Sequence, residues 1–100
     1  MRLGIVGGGQ LGWMIALEAI RMGISVFVLE EDFNAPACKV AKCFKKSEIE
    51  LFKNLCDKIT AEFEHIDEDV INYLEDKLFP SANILRIKKS RSLEKELLKS

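Results

Sequence analysis

Residues 2–14 read RLGIVGGGQLGWM, a short apolar run followed by glycines at positions 7, 8, 9 and 12 and then a helical pattern. Leu3, Ile5 and Val6 have the character of a buried strand and Gln10 to Met22 that of a helix, so the glycines form the turn between them. Gly7, Gly9 and Gly12 fit G-x-G-x-x-G. In that pattern one glycine makes the tight turn, one lets a ligand approach the backbone, and one lets the helix pack closely on the strand. The free N–H groups of the first helical turn, with the positive end of the helix dipole, then point into bare space. A tight strand-to-helix turn without a ligand uses the same three glycines, so the pattern needs support from elsewhere in the chain.

The rest of the chain alternates between two periods. Ser25 to Leu29 (SVFVL) is β-branched and aromatic and reads as the second strand, ending at Glu30. A loop from Glu31 to Pro36 follows, then a short helical turn over Ala37 to Ala41, and Cys43 and Phe44 are what remains of a third strand. Ser47 is placed to cap a helix running to about Cys56, with Glu48 and Glu50 in its first turn. Lys58 to Glu62 (KITAE) reads as the fourth strand, and Asp67 caps a helix with Val70, Ile71 and Leu74 on one face. Leu78 to Pro80 is a brief candidate fifth strand, followed by a charged helical tail.

This alternation predicts an α/β fold, a Rossmann-like, doubly wound parallel sheet of four to five strands with helices on both faces. Residues 1–80 make the domain and 81–100 a helical tail. A chain of 100 residues that is 48% hydrophobic holds one core. The net charge of −1 gives no reason to expect nucleic acid or a membrane surface as partner. No apolar run approaches the roughly 18 residues of a spanning helix, and the apolar N-terminus breaks into glycines unlike a signal peptide, so a cytoplasmic protein is expected. Cys38, Cys43 and Cys56 lack C-x-x-C spacing and are expected to be buried or half-buried free thiols. His65 is the single histidine, which excludes a histidine-rich metal site.

In the strand order 3-2-1-4 the winding reverses between the first and fourth strands, opening a crevice at their carboxyl ends. The glycine loop with Gln10 borders it on one side, and AEFEH (residues 61–65) on the other. Glu62 and Glu64, two apart, point the same way in an extended segment. A carboxylate at Glu62 can accept hydrogen bonds from the hydroxyl or amino groups of a ligand. Simple solvation at a strand end is the alternative, with Glu64 and His65 evenly divided between the two.

GIVGGGQLGWM, VLEEDFNAPA, TAEFEHI and LRIKKSRSLEK occur in an order and spacing that resemble the N-terminal part of the 5-(carboxyamino)imidazole ribonucleotide synthases. These are the ATPase subunits of phosphoribosylaminoimidazole carboxylase, ATP-grasp ligases of de novo purine biosynthesis. The resemblance covers essentially the whole chain and implies a pre-ATP-grasp domain, with the ATP-grasp portion following it in full-length members. It implies ATP- and bicarbonate-dependent carboxylation of aminoimidazole ribonucleotide, with ATP and Mg bound mainly by the ATP-grasp portion, and the 100-residue chain inactive alone. Gly9, Gln10, Leu11 and Glu62 match positions that hold the substrate, and Arg91 a position that meets ATP. Physical chemistry alone sends a phosphate to the helix N-terminus. The resemblance instead puts the ribose or imidazole end at Gln10 and Glu62. Trp13, His65 and Ser90 stand where the family commonly has arginine, asparagine and aspartate, so no role carries over to them.

Two other readings compete. Glu30, 18 residues past Gly12, is near where an acidic residue binds a ribose hydroxyl in a nucleotide- or dinucleotide-binding regulatory module. Trp13, Leu17 and Ile20 form an additional apolar strip on the first helix, which suits extra helix packing or, as the resemblance favours, a homodimer contact.

Overall fold

The computed structural model describes residues 1–61 and 67–79. The elements in chain order are β1 (Arg2–Val6), α1 (Gln10–Arg21), β2 (Ser25–Leu29), β3 (Lys42–Phe44), α2 (Ile49–Leu55), β4 (Lys58–Ala61) and α3 (Glu68–Leu74). Short 3-10 turns lie at Pro36–Lys39, Lys46–Glu48 and Glu75–Lys77. The strands form one parallel four-stranded sheet in the order β3-β2-β1-β4. This is the doubly wound α/β arrangement expected from the alternation of periods.

Strand alternation divides the core into two layers. Ile5, Val26 and Val28 pack with Ala16 and Ala19 of α1 and with Ala37 on one face. Leu29, Phe44 and Ile59 pack with Phe52, Cys56, Val70, Ile71 and Leu74 on the other. Successive strand residues point to opposite faces, so one five-residue β2 serves both layers. Small residues set the approach of α1, whose buried positions are Gly12, Ala16 and Ala19. On the opposite face, a Cβ at Gly4 would come within 2.6 to 2.9 Å of Cys56, Phe52 and Ile59, so bare backbone lets the Phe52 ring lie against β1.

Several local expectations are corrected. The turn before α2 is not capped by Ser47: the Glu48 carboxylate accepts from the Lys45 N–H at 3.2 Å, and the Lys45 carbonyl accepts from the Glu48 N–H at 2.8 Å. A glutamate three residues ahead reaches back to the amide that a serine hydroxyl cannot reach, which sets the turn two residues early. Asp67 takes the N-cap position of α3, but its side chain makes no cap bond. Its carboxylate sits 3.8 Å from Lys46 Nζ, which also pairs with Asp69 at 2.7 Å. The fifth strand shrinks to one bridge, Leu78 beside Ile59, with the Phe79 N–H donating to the Ile59 carbonyl at 2.7 Å.

The cysteines depart most. Cys38 and Cys43 are joined in a disulfide with their Cα atoms 5.5 Å apart, whereas Cys56 is free and buried. The expectation of free thiols therefore holds for Cys56 alone. Spacing was uninformative because the turn Pro36–Lys39 folds Cys38 back against the edge strand that carries Cys43. Burial pushes the Cys56 thiol up to about 11, a direction that makes it inert.

Candidate functional site at the glycine loop

The loop between β1 and α1 lies at the carboxyl edge of the sheet, at the switch point between β1 and β4. Val6 pairs with Leu29 on one side and with Ala61 on the other, so the described part of β4 ends directly beside the loop. The glycines take distinct parts. Gly7 has φ of +105°, which a side chain would strain. A Cβ at Gly12 would lie 2.1 Å from the Gly7 carbonyl oxygen, so Gly12 permits the helix to sit on the turn. Gly9 has nothing within 4 Å of where its Cβ would be. It faces open space, as the position meant for close ligand approach should.

Gly9 is the N-cap of α1, and its carbonyl accepts the Trp13 N–H at 2.9 Å. No acidic side chain occupies the first turn of α1. Gln10 and Leu11 are exposed there, so three of the four predicted substrate residues are adjacent and accessible. Glu62, Glu64, His65, Ser90 and Arg91 lie outside the described residues, as does the tail from residue 81.

The structure adds a neighbour that sequence reasoning assigned differently. The Glu30 carboxylate accepts the Gly8 N–H at 2.8 Å through Oε1 and the Asp32 N–H at 3.1 Å through Oε2. Both oxygens are thus committed to backbone, and the side chain braces the loop from within. A Cβ at Gly8 would meet Glu30 Cγ at 2.9 Å, so Gly8 is there for the brace. The signal available in the sequence was the run of three glycines, where the dinucleotide fingerprint needs only two of them.

A second missed component is the segment after β2. The Ala37 N–H donates to the Gly8 carbonyl at 3.0 Å, and Ala37 is fully buried. This docks the turn Pro36–Lys39 on the loop. Pro36 and Lys39 then line a shallow groove with Gln10 and Trp13. Trp13 packs on the Ala16 and Val28 layer of the core, so the strip with Leu17 and Ile20 is partly covered, while Ile20 stays exposed. Among the described residues no group of three His, Cys, Asp or Glu is placed to hold a metal, and no helix is long and apolar enough to cross a membrane.

The arrangement matches known proteins along its length. The ribonucleotide synthetase preATP-grasp domain family matches residues 1–89. The chain belongs to this family. Among proteins similar to this preATP-grasp domain is the N5-carboxyaminoimidazole ribonucleotide synthase of Aquifex aeolicus, 50% identical over 99% of this chain and 27% of its own length. The crystal structure of the phosphoribosylaminoimidazole carboxylase ATPase subunit from Aquifex aeolicus superposes with a TM-score of 0.85, covering 99% of this chain and 31% of that one. The Staphylococcus aureus N5-carboxyaminoimidazole synthetase complexed with ADP, 33% identical, gives 0.79 over 98% of this chain and 29% of its own. The chain therefore spans roughly a quarter to a third of the length of these relatives.

Proposed function

We infer that this preATP-grasp domain is the N-terminal, substrate-holding part of an ATP-dependent ligase of purine biosynthesis. That ligase uses bicarbonate to carboxylate aminoimidazole ribonucleotide to 5-carboxyaminoimidazole ribonucleotide. The observation that carries the reading is the 50% identity to such a synthase across 99% of the chain. The bare, outward-facing Gly9 at the switch point supports it.

In this reading Gly9, Gln10 and Leu11 receive the ribose or imidazole end of the substrate, and Glu62 accepts hydrogen bonds from the opposite side of the crevice. Arg91, in the tail 81–100 that leads toward an ATP-grasp portion, meets ATP. In the same reading Mg and most contacts to ATP belong to the ATP-grasp portion. A cytoplasmic location and pairing of two copies belong to the same reading, with the strip of Trp13, Leu17 and Ile20 on α1, of which Ile20 is exposed, as apolar surface for a contact.

The test is a polypeptide carrying an ATP-grasp portion after residue 100. Its phosphate release from ATP should depend on both aminoimidazole ribonucleotide and bicarbonate, and the 100-residue chain alone should release none. Glu62→Gln should weaken ribonucleotide binding by about 1.5–3 kcal/mol, as a charged hydrogen bond loses its charge. Gln10→Ala should cost less. Unaltered affinity in Glu62→Gln removes Glu62 from the site.

A further inference from the structure

The Cys38–Cys43 disulfide is the covalent feature of the fold that the ligase reading leaves without a part. It joins the turn Pro36–Lys39 to the edge strand β3, which is three residues long and pairs with β2. The same turn carries the Ala37 N–H bonded to the Gly8 carbonyl and two walls of the groove beside Gln10, Pro36 and Lys39. The disulfide thus ties the turn to β3, while the Ala37 hydrogen bond and the burial of Ala37 against the α1 layer seat it on the glycine loop. Cys38 and Cys43 are each half-buried, within reach of a small thiol, whereas Cys56 is 1% exposed.

We propose that Cys38 and Cys43 form a reversible dithiol–disulfide modification site whose state sets how firmly the turn Pro36–Lys39 is held against the glycine loop. The chemistry is ordinary exchange. A thiolate such as that of glutathione attacks one sulfur, breaking the Cys38–Cys43 bond and forming a mixed disulfide. A second thiolate attacks the mixed disulfide and releases glutathione disulfide. Two protein thiols result, each protonated from solvent, and two glutathiones are oxidised for each disulfide reduced. Glutathione disulfide runs the steps backward.

The two states differ at a named contact. Cys38 Sγ lies 3.7 Å from the Asp32 carbonyl oxygen, a contact to which a disulfide sulfur brings no proton and a thiol does. Reduction therefore removes the tie to β3 and offers Cys38 a partner in the preceding loop instead. The effect on substrate rests on the ligase reading above, since the groove walls matter to affinity only if Gln10 faces the ribonucleotide.

The experiment equilibrates the chain in glutathione buffers from oxidising to reducing, with the thiols trapped and counted by mass spectrometry. Amide hydrogen exchange is then followed at Ala37 and Gly8. Reversible gain and loss of one disulfide, with Ala37 exchanging at least tenfold faster in the reduced form while circular dichroism is unchanged, supports the proposal. Cys38→Ser with Cys43→Ser should exchange like the reduced parent in every buffer. Failure of the disulfide to form, or equal Ala37 exchange in both forms, overturns it. Ribonucleotide affinity is measured on the polypeptide with an ATP-grasp portion. Its absence in both redox states overturns the ligase reading, and the exchange result still decides the clamp.

Discussion

Three glycines in one short loop have three separable duties, and single methyl groups distinguish them. Gly12→Ala drives a Cβ to 2.1 Å from a backbone oxygen, which cannot swing aside as a side chain would. The helix must lift off the turn, and we expect a loss of about 3 kcal/mol, toward the upper end for overpacking. Gly9→Ala meets nothing, and with φ −72° and ψ −162° its backbone suits any residue, so stability should stay within about 0.5 kcal/mol. Urea denaturation of the two variants checks the contrast. A Gly9→Ala protein that folds normally yet loses ribonucleotide binding marks the position as a ligand contact, and equal destabilisation of both variants refutes the division. Glu30 acts at the same scale. Its two oxygens accept from the Gly8 and Asp32 amides, and no acidic side chain occupies the first turn of α1.

Among the elements, polar contacts at the ends add to what the buried helix faces supply. Helix α2 has seven residues, short for a helix to persist alone. Its end is satisfied from outside: Lys77, beyond α3, donates from Nζ to the carbonyls of Lys53 at 2.6 Å and Cys56 at 2.7 Å. A cation there suits the negative end of the helix dipole and ties α2 to the layer formed by Val70, Ile71 and Leu74. Lys77→Met keeps the chain length and removes both bonds, and should lower unfolding free energy by about 1.5–3 kcal/mol. Lys77→Arg should recover part of it. Thermal unfolding of the two variants unchanged from the parent would assign the contact no weight. The same principle operates at the start of β1, where Asp57 Oδ2 accepts the Arg2 N–H at 2.8 Å and the Arg2 carbonyl accepts the Asp57 N–H at the same distance. The Arg2 backbone bond holds the Asp57 carboxyl below its ordinary value.

For the molecule as a whole, the question is why a chain with a dinucleotide fingerprint is a preATP-grasp domain. Rossmann-type topology and glycine spacing are common to both, and sheet order β3-β2-β1-β4 does not separate them. The separating feature is where the acidic residue after β2 points. A ribose-binding carboxylate must be free to accept from two hydroxyls, and that of Glu30 is already bonded to Gly8 and Asp32. We therefore expect no measurable NAD or NADP binding by isothermal titration calorimetry. Micromolar affinity for either, lost in Glu30→Ala, would return the dinucleotide reading to first place.

Features governed by neighbours along the chain were legible in the residues alone. The strands follow from alternation, α1 from its small and apolar spacing, and the parts played by Gly7, Gly9 and Gly12 from their separations of two and three. The switch point then followed from element order, which put the start of α1 at Gln10 beside the carboxyl ends of β1 and β4. Tertiary structure decided what depends on residues distant in the chain meeting in space. Nothing local shows that Glu30 turns back 22 positions to Gly8, that Lys77 reaches 24 back to the Lys53 carbonyl, or that Ala37 bonds to Gly8. The disulfide spans only five positions, yet it too was hidden, because its closure depends on a 3-10 turn that the docking of Ala37 stabilises. Local periodicity reports which face a residue occupies, while the partner of a polar atom is set by three-dimensional packing, since each buried donor or acceptor takes whichever group the assembled fold brings within reach.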